Sequence, residues 1–209
     1  HPGECRVTTI YDEQPVTAHR RWADRLRQHQ QLEGWHDDCG AMRQVLQDGD
    51  CEATLFYIYC HGAAAQSGMD EKLVLAAGCE LDPGLVVEGG PYPSAPLVIL
   101  NACETGQHSP LAFGNFLAAF RQRGALGLIA ATAPVPIVFG AHFGMQLAEQ
   151  CLQRTGSLAQ MLYRLRREHL LERGNPVPMF YSLQCQVTYP QAPADAAGAP
   201  SPAARAAPP

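Results

Sequence analysis

The stretch from Leu97 to Gly106 constrains the fold of this chain more than any other feature. Four branched apolar residues, Leu97 to Leu100, run directly into a small polar segment that contains a cysteine, a carboxylate and a glycine. The apolar run is too short for a lone helix and is apolar on both alternating faces, which is typical of a buried strand in a parallel sheet. The pattern places Cys103 just past the carboxyl end of that strand, where ligands bind in open α/β sheets.

A second strand is predicted from Thr54 to Cys60, where aromatic and β-branched residues dominate. This strand stops at His61-Gly62. Because the carboxyl ends of parallel strands meet at one edge of a sheet, we expect His61 and Cys103 to lie close together at that edge. Cys60 is expected to be a core residue, since its side chain should point away from that of His61.

The remaining pattern alternates between strands and helices, which predicts an α/β sandwich with a mainly parallel sheet. Further strands are predicted at Cys5–Ile10, Leu73–Leu75, Leu85–Val87 and Ala125–Ala131, with a half-buried edge strand from Met179 onward. Helices are predicted after Pro15 with Thr17 as the cap, around Met42–Leu46, from Ser109-Pro110 to Gly124, after Pro136, and from Ser157 to His169. A turn is predicted at Gly34-Trp35.

The ordered domain is expected to cover residues 1–189, and residues 190–209 form an Ala/Pro-rich tail or linker. The 209 residues suffice for one domain with a substantial core. Because the first residue is His1 and not Met, we expect the chain to be a fragment or a processed product.

Composition and charge exclude several classes of function. The net charge of −5 argues against a general nucleic-acid binder, and no apolar stretch is long enough to cross a bilayer. The eight cysteines include no C-x-x-C pair, so a zinc site is not expected. Reduced thiols and a cytoplasmic location are the simpler interpretation.

A cysteine beside a histidine at one sheet edge is the combination that thiol catalysis requires. A free thiol has a pKa of about 8.5, so only a small fraction is ionised at neutral pH. A neighbouring imidazole can take the thiol proton and later protonate a leaving amine. The backbone N–H groups of Gly62 and Cys103 are the candidate donors of an oxyanion hole.

These residues resemble the CHAT domain, a caspase-like cysteine peptidase module that often lies beside TPR repeats. The resemblance spans roughly Arg6 to Tyr189 and is carried by His61-Gly62, Asn101–Gly106, Gly124–Ile129, Ser157–Arg167, Asn175-Pro176 and Tyr181–Leu183. It implies a three-layer caspase-like α/β/α fold with Cys103 as nucleophile and His61 as general base. It also implies an endopeptidase that needs no cofactor or metal. TPR-type or sensor modules of a larger chain are the expected partners, besides a protein substrate.

The resemblance further implies a role for Asn101, because the residue two before the cysteine helps line the substrate pocket in caspase-like folds. The alternative for Asn101 is a structural role at the strand end. Glu104 is expected to have a structural role, in which it holds its loop in place. Asp70 and Glu71 follow His61 and can supply negative charge to the substrate site. A basic residue before the cleaved bond is therefore the expected preference.

Three functions compete at this point. The first is a regulated cysteine endopeptidase in a signalling or defence system, which the intact His61 and Cys103 favour. The second is a non-catalytic caspase-like module for protein interaction. The third is a thiol-dependent hydrolase or acyltransferase for small molecules, which would need an apolar ligand pocket.

Overall fold

The computed structural model describes residues 5–9, 13–36, 38–63, 72–74, 80–104, 112–153 and 157–185. The strands of this part are β1 Cys5–Thr9, β2 Leu32–His36, β3 Leu55–Ala63, β4 Lys72–Val74, β5 Glu80–Leu81, β6 Leu97–Glu104, β7 Gly127–Ala131 and β8 Tyr181–Cys185. Its α-helices are α1 Glu13–Gln28, α2 Cys39–Gln47, α3 Pro83–Val87, α4 Ala112–Gln122, α5 Ile137–Gln153 and α6 Leu158–Arg173. A 3₁₀ turn at Val177–Phe180 precedes β8.

One mostly parallel sheet organises the described residues. Its main order is β2-β1-β3-β6-β7-β8, and only β8 runs antiparallel to its neighbour in that path. Two short antiparallel strands, β4 and β5, extend from the carboxyl end of β3. The predicted mixed α/β fold with a mainly parallel sheet is confirmed.

Helices cover both faces of the sheet, because alternating strand residues belong to two separate apolar clusters. In β3, Tyr57 and Tyr59 pack with helices α1, α5 and α6. Phe56 and Ile58 pack with α2, α3 and α4 on the opposite face. The two faces are both apolar, as expected for a parallel sheet with helices on each side, and they give the domain three layers.

Helix α6 follows its predicted pattern along its whole length. Its buried residues are the five that the periodicity indicates, namely Leu158, Met161, Leu162, Leu165 and His169. The Ser157 side chain accepts a hydrogen bond from the backbone N–H of Gln160, which caps the first turn. Gly174 ends the helix with φ +60°, in the left-handed region that glycine adopts without strain.

Three local predictions are wrong. Leu32–His36 forms strand β2 rather than a Gly34-Trp35 turn, because pairing with β1 holds it extended. Residues 83–87 form helix α3 rather than a strand, since Asp82 caps its first turn and accepts a hydrogen bond from Leu85. Helix α1 begins at Glu13, so Thr17 lies inside it and does not cap it.

The carboxyl-terminal strand matches its prediction in part. Strand β8 lies at the edge of the sheet, where the alternation placed it, but it begins at Tyr181 because Met179 belongs to the 3₁₀ turn. The predicted tail 190–209 and the Ser109-Pro110 cap lie outside the described residues. Within the described ranges, no helix has both the length and the apolar character needed to cross a membrane.

The cysteines do not all follow the prediction of reduced thiols. Cys51, Cys60, Cys151 and Cys185 form no disulfide, and Cys60 is a buried core residue as expected. Cys39, however, is disulfide-bonded, so the prediction is wrong at that position. Sequence spacing does not reveal which cysteines a fold brings together. A disulfide is uncommon in a reducing compartment, so this bond lends no support to the predicted cytoplasmic location.

Candidate active site

His61 and Cys103 occupy directly paired positions on neighbouring parallel strands. In the register of β3 and β6, His61 pairs with Cys103 and Gly62 pairs with Glu104. Neighbouring strands lie about 4.8 Å apart, so the fold brings two residues that are distant in sequence to adjacent backbone positions. The sheet therefore joins the two predicted catalytic residues, as their strand-end positions indicated.

The strands run further than the sequence predicted. Cys103 lies within β6, which continues to Glu104, and His61 lies within β3, which continues to Ala63. The expectation that Cys103 lies past the strand end is therefore wrong. Continued pairing between β3 and β6 keeps both residues in extended backbone.

The paired positions lie beyond the pairing with β1 and β7 that the structure describes. Among the described residues, β1 pairs with β3 as far as Tyr59, and β7 pairs with β6 as far as Leu100. Beyond Tyr59, β4 pairs with His61–Ala63. In the described residues, His61 and Cys103 thus lie on neighbouring strands at the carboxyl edge of the sheet, where β4 is paired with the other side of β3.

Gly62, the predicted oxyanion donor, lies between two paired strands. Its register partners are Leu73 on β4 and Glu104 on β6. Its position next to the His61–Cys103 pair agrees with the prediction. An amide N–H can bind an oxyanion only where it does not already donate a hydrogen bond within the sheet. A catalytic site here therefore requires a Gly62 N–H that is not used in strand pairing.

Asn101 is completely buried and makes hydrogen bonds in three directions. Its Nδ2 donates to the Tyr57 hydroxyl at 2.9 Å and to the Gly140 carbonyl at 2.7 Å. Its Oδ1 accepts from the Tyr181 hydroxyl at 2.7 Å. These contacts use both amide hydrogens and the amide oxygen, so the geometry favours the structural alternative for Asn101 over contact with a substrate.

His19 extends this hydrogen-bonded group into helix α1. Its Nε2 lies 2.9 Å from the Tyr57 hydroxyl, and its ring stacks on that of Tyr59 with 4.4 Å between centroids. Sequence reasoning missed His19, Tyr57 and Tyr181. Two signals were available in the sequence. His19 lies on the face of a helix that is expected to be buried, and Tyr57 and Tyr181 are core tyrosines whose hydroxyls need hydrogen-bond partners.

Helix α5 approaches Asn101 closely because it carries glycine at the contact. A Cβ atom on Gly144 would lie 2.6 Å from the Tyr57 hydroxyl oxygen and 2.9 Å from Asn101 Cγ, with Asn101 Nδ2 closer still. No side chain fits there. The glycine therefore allows the Gly140 carbonyl, one turn earlier, to reach the Asn101 amide.

The shifted pKa values in the described residues belong to packed groups of the helical layers. Burial raises the pKa of the Cys151 thiol to about 12, so this cysteine is an inert core thiol. Burial also lowers the pKa of His169, whose Nε2 lies 3.0 Å from Gln146 Oε1 and whose ring packs edge-on against Phe139 and Phe143. Neither group is a candidate for catalysis.

Asp70, the other predicted substrate-binding residue, lies outside the described residues, as does Glu71. Among the described side chains, no group of three or more His, Cys, Asp or Glu residues is placed to bind a metal ion.

Fold and site together define an α/β protein with a cysteine and a histidine paired at the carboxyl edge of a parallel sheet. No protein-family model matches the chain, and no curated protein matches it.

Proposed function

We propose that this chain is a cysteine endopeptidase of caspase-like fold, with Cys103 as the nucleophile and His61 as the general base. The observation that carries the proposal is the register of β3 and β6, which pairs these two residues directly. A mostly parallel sheet with helices on both faces, as observed here, is the architecture that the resemblance to CHAT domains implies.

The chemistry follows from the two side chains. His61 takes the proton of the Cys103 thiol, and the thiolate attacks the carbonyl carbon of the scissile peptide bond. Amide N–H groups at Gly62 and Cys103 would stabilise the resulting oxyanion. The protonated imidazole then gives its proton to the leaving amine, and water hydrolyses the thioester to restore the thiol. No metal or cofactor takes part in this scheme.

The wider setting is part of the same proposal. The enzyme acts on a protein substrate in a signalling or defence system, in the cytoplasm, and other domains of a longer chain regulate it. A basic residue before the cleaved bond is the proposed preference, because Asp70 and Glu71 follow β3 in sequence. Asn101 is left out of the substrate pocket because its side chain is buried.

The direct test is covalent labelling by irreversible peptide probes with basic, acidic or apolar groups before the reactive carbon. Wild type is compared with Cys103→Ala and with Cys60→Ala. Cys60 is the matched control because it precedes His61 on β3 and is buried in the layer formed by α2, α3 and α4. We expect labelling that is lost in Cys103→Ala and retained in Cys60→Ala. The probe that reacts fastest identifies the pocket preference.

A non-catalytic interaction module is the second candidate, and one observation favours it. Gly62 pairs with β4 on one side and with β6 on the other, so whichever side its N–H faces, a neighbouring strand offers carbonyl acceptors there. If the folded protein resists every probe, the peptidase proposal is wrong and the interaction module is preferred. Labelling at a cysteine other than Cys103 would also refute the proposed nucleophile.

A further inference from the structure

A buried polar cluster lies immediately behind the proposed catalytic pair. Asn101 of β6 is hydrogen-bonded to Tyr57 of β3, Tyr181 of β8 and the Gly140 carbonyl of α5. Asn101, Tyr57 and Tyr181 are each 0% exposed. We call these three side chains the Asn101 cluster. It connects two neighbouring strands of the sheet to the antiparallel edge strand and to one covering helix.

The Asn101 cluster, with His19 in contact with it, lies in a layer whose other side chains are mostly apolar. The same face of the sheet is filled by side chains such as Leu97, Ile99 and Phe143. Buried polar groups in such a layer stabilise a fold only when every hydrogen bond is made, and they then restrict the packing to one arrangement. A leucine or phenylalanine would fill the same space without that requirement. The cluster is therefore suited to fixing positions.

The register shows which positions are fixed. Asn101 pairs with Tyr59, and the next pair of the same parity along the two strands is Cys103 with His61. A slip of one residue between β3 and β6 would move every side chain of the slipped strand to the other face. The bond from Asn101 to Tyr57 crosses between these strands at 2.9 Å and is available in the observed register.

The Asn101 cluster also lies where β6 loses its pairing with β7 and where, in the described residues, β4 follows β1 as the neighbour of β3. Strand β7 pairs with β6 as far as Leu100, one residue before Asn101. Strand β1 pairs with β3 as far as Tyr59. In the described part of the chain, the hydrogen bonds of Asn101 with the Tyr181 hydroxyl and the Gly140 carbonyl thus hold β6 at the point where its pairing with β7 has ended.

We infer that Asn101, Tyr57 and Tyr181 are positioning residues, which hold the ends of β3 and β6 so that His61 stays aligned with Cys103. This inference rests on the proposed peptidase function. The three residues touch no substrate and act through the strands that carry the catalytic pair. Catalysis depends on alignment because displacing a reacting group by about 1 Å can lower a rate about 100-fold.

The test is the rate of Cys103 alkylation by iodoacetamide as a function of pH, read by mass spectrometry of the Cys103 peptide. This small reagent needs no substrate pocket, so it reports the thiolate and its imidazole partner. The variants are Tyr57→Phe and Tyr181→Phe, which remove one hydroxyl each, and Asn101→Leu. The control is Tyr92→Phe, because that buried hydroxyl donates to the Leu46 carbonyl at 3.1 Å in the opposite layer.

All variants are measured well below their unfolding temperatures, with circular dichroism confirming the fold. We expect wild type and Tyr92→Phe to share a pH profile with a midpoint well below the free-thiol value of about 8.5. Tyr57→Phe and Tyr181→Phe should react at least about tenfold more slowly near pH 7, with midpoints displaced toward that value. If Asn101→Leu does not fold, the two tyrosine variants decide the question.

Two results would overturn the inference. Wild-type profiles in folded Tyr57→Phe and Tyr181→Phe would show that the Asn101 cluster only stabilises the core, while the proposed catalytic pair would stand. An ordinary thiol profile for Cys103 in wild type would instead remove the proposed function, and the positioning role with it.

Discussion

Gly144→Ala tests the close approach of helix α5 to the Asn101 cluster. In most helix interiors this substitution is favourable, because alanine has a higher helix propensity than glycine by about 1 kcal/mol. Here the added Cβ would lie 2.6 Å from the Tyr57 hydroxyl oxygen and 2.9 Å from Asn101 Cγ. Both distances are shorter than real Cβ contacts, so the helix or the asparagine has to move.

The expected cost follows from two effects. Overpacking a well-packed core costs about 1–3 kcal/mol. Moving Asn101 or α5 also breaks at least one of the hydrogen bonds from Asn101 to Tyr57 and Gly140, and a buried group left without a partner costs about 1–3 kcal/mol. Subtracting the gain of about 1 kcal/mol in helix propensity leaves a net loss of about 1–5 kcal/mol in the free energy of unfolding.

Urea unfolding followed by circular dichroism measures this loss. Gly40→Ala is the matched control, since it is also a helical glycine and its Cβ would meet only the Asp38 side chain, at 3.3 Å. We expect that control to stay within about 1 kcal/mol of wild type. In an Asn101→Ala background, Gly144→Ala should cost at least about 1 kcal/mol less, because the overlap with the asparagine is gone. An unchanged midpoint in Gly144→Ala would refute the described contact.

Three further predictions concern stability. Arg123→Met removes the hydrogen bonds that Arg123 donates to the carbonyls of Gly90, Val86 and Asp48, of which the one to Val86 is buried, and urea unfolding should show a loss of about 1–3 kcal/mol. Ser157→Ala removes the cap of α6 and should cost about 1 kcal/mol in the same assay, whereas Ser157→Asp should retain most of it. Because burial lowers the pKa of His169 from 6.5, the unfolded chain takes up the proton first. Stability should therefore fall as pH drops below 6.5, and thermal unfolding at pH 7 and pH 5 should show a smaller fall in His169→Leu.

The sequence predicts most of the sheet and most helices because those segments carry strong apolar periodicity. Helix α6 is the clearest case, since its cap and its buried face are local properties of residues 157–173. Strand β2 was missed because its Gly34-Trp35 pair has the composition of a turn, and pairing with β1 overrides that local preference. Helix α3 was missed because Val86 and Val87 favour strands, while the cap at Asp82 and the proline at the first turn decide the outcome.

The candidate site was predictable only in part. The strand-end positions of His61 and Cys103 follow from where two apolar runs stop, and their pairing follows from parallel topology. The partners of Asn101 could not be predicted, because they lie 39 to 80 positions away in the chain. No local pattern encodes a hydrogen bond between residues on separate elements. The contact becomes visible only when the helix and the edge strand are packed against the sheet.

Because Asn101 is buried, the proposed substrate preference has to be sought in other residues. A residue with 0% exposure and three hydrogen bonds cannot also bind a substrate side chain without breaking the cluster that holds β6. Under the proposed function, selectivity would come from groups outside the cluster, near the carboxyl ends of β3 and β6. Alignment and recognition would thus be assigned to different residues. Charge changes at Asp70 should alter which probe reacts, and changes in the Asn101 cluster should alter how fast all probes react.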